Sequence, residues 1–246
     1  MYAPAVNSIA TVTSGSVTSA PSPDIFINPD ATVYAYYPAI ADEIVNPDRT
    51  STKDITVDLS NDLSATEQID YLWATPTDVC RTNCTNVSLT FNHALAKVVF
   101  KVTLKESYVG DKTLTQIKLS TVSSTYKFKC GNGTMSIADG SITLPTEDDE
   151  LTCSGTKTLS GTASDVIALV ASTLLAENTS ATSEITLSMT IGNVTYSTSL
   201  PVNTVAEWAG GNYYIYDISV GSKSISISEV SVSGWIGGAE TDITVD

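Results

Sequence analysis

Apolar and polar residues alternate along most of the chain with a period of two, which is typical of β-strands that bury one face. The longest alternating segment runs from Val87 to Leu104. One face of its second strand carries Val98, Phe100, Val102 and Leu104, and the other carries lysines at 97, 101 and 105. Helical periodicity is nearly absent. Ser64–Gln68 is the one helix candidate, because Ser64 and Glu67 have the spacing of a capping box.

Turn-forming residues divide this pattern into strands. The first half contains about seven strand candidates, and a polar break follows at residues 106–112. Hairpin turns that need positive-φ residues are expected at Gly131-Asn132-Gly133, Asp139-Gly140 and Gly192-Asn193. We therefore predict an all-β fold of two β-sandwich domains, residues 1–108 and 109–222, and a C-terminal segment, residues 223–246.

The C-terminal segment keeps strand patterning almost to the last residue. Its apolar face switches by one position near Ser228–Glu229, which requires a bulge or a bend. The pattern fits the last strand of an ordinary sandwich, and it also fits a donor strand that fills a groove in a neighbouring subunit. The residues that would enter such a groove are Ile225, Ile227, Val230, Val232, Trp235, Ile243 and Val245.

The composition indicates a protein surface with many hydroxyl groups and few charged groups. The 246 residues are 42% hydrophobic and only 16% charged, and Ser and Thr are typical of the wet face of a sheet. The net charge of −15 disfavours nucleic acid and anionic lipid as partners, since both require clustered Lys and Arg. No apolar run reaches transmembrane length and no signal peptide is visible, so we expect a cytosolic or an already processed chain.

The four cysteines favour export, because their number is even. Cys80 and Cys84 bracket a short polar turn, whereas Cys130 and Cys153 flank a stretch rich in hairpins. We predict two local disulfides, Cys80–Cys84 and Cys130–Cys153. Zinc is the alternative, but the two pairs lie far apart and no histidine is near either of them.

Catalytic motifs are absent from the sequence. The single histidine, His93, adjoins a strand, and any Ser–His machinery would have to use it. The acidic run Glu147–Glu150 lacks the spacing of a calcium loop. Some tyrosines could stack on sugars, but tyrosines at a sandwich face or a subunit interface are commoner: Tyr34, Tyr36, Tyr37, Tyr213, Tyr214 and Tyr216. We predict no enzyme activity, no metal and no cofactor.

Several segments together resemble the fimbrillins, the structural subunits of type V pili of Gram-negative anaerobes. In chain order they are Val33–Pro38, Asp70–Ala74, Leu89–Val98, Trp208–Tyr216 and Val232–Trp235. The most specific is the segment Phe91–Lys97 followed by an alternating strand.

This resemblance implies a two-domain pilin whose N-terminal sandwich is transthyretin-like with about seven strands. It also implies export as a lipoprotein and removal of an N-terminal strand by a surface protease. The C-terminal strand of another subunit then fills the opened groove. Because this sequence has no lipobox cysteine and no Lys or Arg before Arg49, we expect a mature form.

The leading hypothesis is a structural pilin of a cell-surface fimbria outside a Gram-negative bacterium. Its partners would be copies of itself, with tip and anchor pilins and host-surface ligands as further candidates. The alternative is a monomeric surface adhesin or glycan-binding module, including a pilus tip or anchor subunit. A secreted hydrolase is a third hypothesis, which no particular pair of carboxylates favours.

Overall fold

The computed structural model describes residues 9–13, 16–22, 30–39, 52–59, 63, 68–75, 77–80, 89–123, 125–176 and 183–235. These residues form 22 β-strands and no helix, which confirms the predicted all-β class. In chain order the strands are β1 (Ile9–Thr13), β2 (Ser16–Ser22), β3 (Asp30–Val33), β4 (Tyr36–Tyr37), β5 (Thr52–Val57), β6 (Leu72–Ala74), β7 (Thr77–Cys80), β8 (Phe91–His93), β9 (Ala96–Leu104), β10 (Thr113–Thr121), β11 (Phe128–Lys129), β12 (Gly131–Ser136), β13 (Ile142–Thr143), β14 (Glu147–Asp148), β15 (Glu150–Thr158), β16 (Ser164–Val170), β17 (Thr173–Leu174), β18 (Ile185–Ile191), β19 (Val194–Ser199), β20 (Glu207–Trp208), β21 (Asn212–Val220) and β22 (Ile225–Gly234).

Two four-stranded sheets enclose the main core between them. The first sheet has the strand order β16-β9-β21-β22, and the second has the order β15-β10-β18-β19. Neighbouring strands are antiparallel except β9 and β21, which run parallel. The remaining sheets have two or three strands each.

The main core is built by the alternating faces of these strands. From β9 it receives the predicted face, Val98, Phe100, Val102 and Leu104, each at most 5% exposed. The second sheet contributes Leu114, Ile117, Leu119, Leu187 and Met189. Each fully buried side chain of this size contributes about 1.5–3 kcal/mol through removal of apolar area from water.

A second, smaller core lies against the other face of β16. Val166 and Ala168 belong to the main core, whereas Leu169 belongs to the second core together with Ile55 of β5 and Met135 of β12. One strand therefore serves two cores with its alternate residues, because successive side chains of a strand point to opposite faces.

The strand pairing crosses residue 108, where sequence analysis predicts a domain boundary. β9 precedes residue 108 but pairs with β16 and β21, which follow it. β5 likewise pairs with β12. A division between residues 1–108 and 109–222 would cut both sheets. Alternation shows which face a strand buries, but not which strands lie beside it.

Two of the three predicted hairpin turns are confirmed. Gly140 (φ 70°) lies between β12 and β13, and Gly192 (φ 57°) lies between β18 and β19. The third prediction is wrong, because residues 131–133 are part of strand β12. A Cβ at Gly133 would lie 2.2 Å from the carbonyl oxygen of Thr143, so this glycine permits the close approach of β13.

The predicted Cys130–Cys153 disulfide is absent, since no bond joins the two sulfur atoms in this structure. Cys153 lies opposite Ile117 in the second sheet and is buried in the main core. Cys130 Sγ is instead 3.8 Å from Asp148 Oδ2. Burial, and then the Asp148 carboxylate, raise the pKa of the Cys130 thiol. The two thiols occupy different environments, and short spacing in the sequence did not bring them together.

Two other predictions lie wholly or mostly outside the described residues. Cys84 is not described, so the Cys80–Cys84 bridge stays a prediction. Of the helix candidate Ser64–Gln68, only Gln68 is described, and it belongs to no helix or strand.

Candidate functional site at the C-terminal edge strand

Residues 225–234 of the predicted donor segment form β22, which pairs with β21 of the same chain. The ladder extends from Ile225 opposite Val220 to Gly234 opposite Asn212. In this structure β22 lies within its own sheet, and transfer of the chain beyond Lys223 to a neighbouring subunit stays a prediction. The short turn 221–224 returns the chain directly beside β21, and the Gly221 N–H donates to the Ser224 carbonyl at 2.9 Å.

The predicted bulge in β22 is confirmed. Glu229 lies opposite Asp217 and Ile227 lies opposite Ile218, so that Ser228 is the extra residue of the ladder. The Ser228 hydroxyl donates to the Asp217 carbonyl at 3.3 Å. The bulge restores the phase of the strand, so the apolar residues on both sides of it face the main core.

Burial of the apolar side chains decreases along β22. Ile225 is 5% exposed, Ile227 and Val230 are partly buried against the main core, and Val232 is 49% exposed. The far half of β22 therefore depends mainly on its backbone ladder with β21. Two further donor candidates, Ile243 and Val245, lie outside the described residues.

Trp235, immediately after β22, stacks on His93. The ring centroids are 3.6 Å apart and the ring planes differ by 5°. The main-chain N–H of Trp235 donates to the Gly211 carbonyl at 2.8 Å. Trp235 is thus an anchor for the C-terminal segment, and in this structure it is anchored to its own chain.

Three side chains form the site that receives the Trp235 ring, here called the Trp seat: His93, Asp70 and Lys97. His93 Nδ1 is 2.9 Å from the Asp70 carboxylate, which fixes the orientation of the imidazole. Lys97 Nζ lies 5.4 Å from the centroid of the Trp235 ring and 5.2 Å from that of Tyr213, so both rings are within cation–π distance.

Two glycines bring the chain before β21 close to the Trp seat. Gly211 has φ 73°, and its N–H donates to the Leu95 carbonyl at 2.9 Å. A Cβ on Gly210 would lie 2.5 Å from the carbonyl oxygen of Ala94. Four of the five segments that resemble the fimbrillins thus meet at the Trp seat, although they lie far apart in the sequence.

The strand edges of the main sandwich are covered on one side. The Gln68 side chain donates to the Ile167 carbonyl at 2.9 Å and accepts from the Leu169 N–H at 2.7 Å, which covers part of the outer edge of β16. The Leu63 N–H donates to the Ser154 carbonyl of β15 at 3.2 Å. On the opposite side of the sandwich, β22 and β19 are the edge strands of the two sheets. No other described strand pairs with their outer edges. Open edges of this kind accept added strands.

Tyrosines of β21 lie beneath β22 in the main core. Trp208 Nε1–H donates to the Tyr216 hydroxyl at 2.9 Å, and the Ala209 N–H donates to the Tyr214 hydroxyl at 2.7 Å. Burial raises the pKa of both tyrosines. Because Tyr214 and Tyr216 are at most 3% exposed, they are core residues and have no surface to offer a sugar.

The described residues contain no helix that is long and apolar enough to cross a membrane. Among the same residues, no group of three or more His, Cys, Asp or Glu side chains could hold a metal ion. The residues that sequence reasoning missed at this site are Asp70, Lys97 and Gln68. Asp70 and Lys97 lie in segments that resemble the fimbrillins, but their roles depend on contacts between distant segments, which the pattern of the sequence does not report.

Comparison with known proteins confirms the resemblance to the fimbrillins. Residues 2–235 match the fimbrillin-like family, and the chain belongs to this family. A structure from Bacteroides ovatus has a TM-score of 0.64 at 16% identity, with 91% of this chain and 76% of that chain covered. A structure from Bacteroides uniformis has a TM-score of 0.56 at 17% identity, with 85% and 74% covered.

Both of these proteins are named for a proposed role in cell adhesion. At this level of identity the likeness establishes the fold alone. No match to the chain was found among curated proteins.

Proposed function

We propose that this protein is a structural subunit of a cell-surface fimbria and that it polymerises by exchanging its C-terminal strand between copies. Membership of the fimbrillin-like family supports a fimbrial, structural role at the cell surface rather than catalysis. The observation that carries the exchange mechanism is β22 itself. It is an edge strand at the C-terminal end of the described chain, and one short turn joins it to β21.

Strand exchange is physically feasible because the contacts of β22 can be remade in another copy. An exchanged β22 would form the same ladder with β21 of the neighbour and place Ile225, Ile227 and Val230 in the same core. The turn 221–224 would open and act as the hinge. Each copy would donate to the next copy, so the contact would not close and would generate a filament.

The proposed donor also includes residues 236–246, with Ile243 and Val245 as further contacts. The principal partners are copies of the same chain. Tip and anchor pilins and host-surface ligands are additional proposed partners, and the proposed location is outside a Gram-negative bacterium.

A disulfide that locks β22 to β21 tests the exchange. Ser219 and Ser226 lie opposite each other with their side chains away from the main core. We expect oxidised Ser219→Cys/Ser226→Cys protein to remain monomeric by electron microscopy and light scattering, and reduction to restore filaments. The matched control is Ser188→Cys/Ser197→Cys, whose positions face each other on β18 and β19 with hydroxyls 2.8 Å apart. This control should polymerise in both redox states.

A monomeric surface adhesin is the second candidate function, and the closed position of β22 in its own sheet is the observation that favours it. Wild-type protein that never forms filaments would support this candidate. Filaments formed by the oxidised lock would show instead that β22 stays in place and that residues 236–246 alone act as the donor.

A further inference from the structure

The Trp seat and its occupant come from separate parts of the chain. His93 and Lys97 belong to β8 and β9, and Asp70 precedes β6, whereas Trp235 follows β22. The contact between them consists of one flat stack at 3.6 Å, one cation–π distance of 5.4 Å and the backbone hydrogen bond to Gly211. If β22 leaves its sheet, Trp235 leaves with it and the Trp seat is emptied.

The rest of β22 specifies its own register poorly. Its core-facing residues are isoleucine or valine at every second position on each side of the bulge, with serines between most of them. If the bulge at Ser228 moves along β21 with the strand, a slip of two residues would place Ile227, Val230 and Val232 where Ile225, Ile227 and Val230 now lie, with little change in shape. Side-chain alternation excludes a slip of one residue but not a slip of two. An incoming strand therefore needs a further feature that fixes its position.

We propose that the Trp seat of each subunit receives Trp235 of the neighbouring subunit and thereby fixes the register of the exchanged strand. This inference rests on the strand exchange proposed above. Trp235 suits the role because it has a large planar ring, and the Trp seat offers a parallel imidazole whose orientation Asp70 fixes. Trp235 is also the only aromatic residue among positions 217–246. A slipped register of β22 therefore cannot present another ring to the Trp seat.

Mixing two variants tests this inference, because each variant lacks one half of the contact. His93→Ala keeps the Trp235 donor but lacks the stacking partner. Trp235→Ala keeps the Trp seat but lacks the ring. Neither variant can form the stack within one copy or between like copies. A pair in which the His93→Ala protein donates to the Trp235→Ala protein regains it.

In an equimolar mixture we expect the ratio of mixed pairs to like pairs to rise from the statistical value of one to about two to six, because one of the two donor orders regains one aromatic stack. The two proteins would carry different isotope labels, and native mass spectrometry would count pairs among the shortest oligomers after exchange. Two control mixtures contain the double variant, His93→Ala/Trp235→Ala, with either single variant. Neither control can form the stack between copies, so both should give statistical pairing.

The possible outcomes separate this inference from the proposed function. Statistical pairing in the test mixture, together with oligomers of wild-type protein, would overturn the Trp seat inference and leave strand exchange standing. Absence of oligomers from wild-type protein would overturn strand exchange and this inference with it. Circular dichroism of each variant would establish that it is folded before mixing, and Trp235→Leu, which also lacks an aromatic ring, would replace Trp235→Ala if the alanine variant is unfolded. Excess mixed pairs with either variant would support the inference.

Discussion

At the residue scale, the Trp208–Tyr216 pair combines apolar burial with a satisfied hydrogen bond beneath β22. Both side chains are 0% exposed, and the indole N–H donates to the tyrosine hydroxyl at 2.9 Å. Tyr216→Phe would leave this buried donor without its acceptor, at a cost of about 1–3 kcal/mol. We expect denaturant titration to show a correspondingly lower free energy of unfolding. Tyr213→Phe, on the opposite face of β21, is the matched control and should change it little.

The same variant should alter the response to alkaline pH. Burial raises the pKa of Tyr216 above the ordinary tyrosine value of about 10. The folded protein therefore keeps a proton that the unfolded chain loses above about pH 10, so stability falls as the pH rises from there through the raised pKa. Tyr216→Phe should reduce the steepness of this fall. Equal slopes for the wild type and the variant would contradict this assignment.

Single residues also show where prediction from the sequence ends. The inward faces of Val98, Phe100 and Val102 were predictable because alternation is a local property of the chain. The stack of His93 on Trp235 was not predictable, since it joins two residues that lie far apart in the sequence. The prediction of a Cys130–Cys153 disulfide was wrong for a related reason. Proximity of two cysteines in the sequence says little about the direction in which their Sγ atoms point.

At the scale of strands, Gln68 acts as a cover for the edge of β16. Its amide bonds to a carbonyl and to an N–H of that strand, as a neighbouring strand would. We expect Gln68→Ala to accelerate hydrogen exchange at the Leu169 amide and to increase aggregation, because an uncovered edge can pair with other chains. Gln116→Ala is the control, since its Nε2 makes only a 3.5 Å contact with Ser154. Unchanged exchange at Leu169 would show that Gln68 does not protect the edge.

The strand β22 was predictable in its own geometry but not in its pairing. The phase switch near Ser228 predicted a bulge or a bend, because a strand with a period of two needs one of them to keep the same face inward, and the structure has the bulge. The same pattern could not distinguish β21 of the same chain from β21 of a neighbour. The two ladders would have the same local contacts, and only the route of the turn 221–224 differs between them.

At the scale of the whole molecule, β9 joins the two halves of the chain into one sheet. It lies between β16 and β21, and four side chains larger than alanine that it places in the main core are each at most 5% exposed: Val98, Phe100, Val102 and Leu104. At about 1.5–3 kcal/mol each, their burial amounts to about 6–12 kcal/mol. A typical domain has a total stability of about 5–15 kcal/mol. Sequence analysis assigned β9 to the N-terminal half without its partner β21, because no local pattern reports a parallel partner so far along the chain.

A fragment experiment tests whether the second half can fold without β9. We expect residues 109–246 to be unfolded or aggregated, because removal of β9 opens the main core and leaves β16 and β21 without the strand between them. The matched fragment, residues 89–246, retains β8 and β9 and should give dispersed amide resonances and a cooperative thermal transition. Native-like spectra from residues 109–246 alone would support the predicted domain boundary at residue 108. If residues 89–246 fold and residues 109–246 do not, then β9 is an integral strand of the main sandwich, as its parallel ladder with β21 indicates.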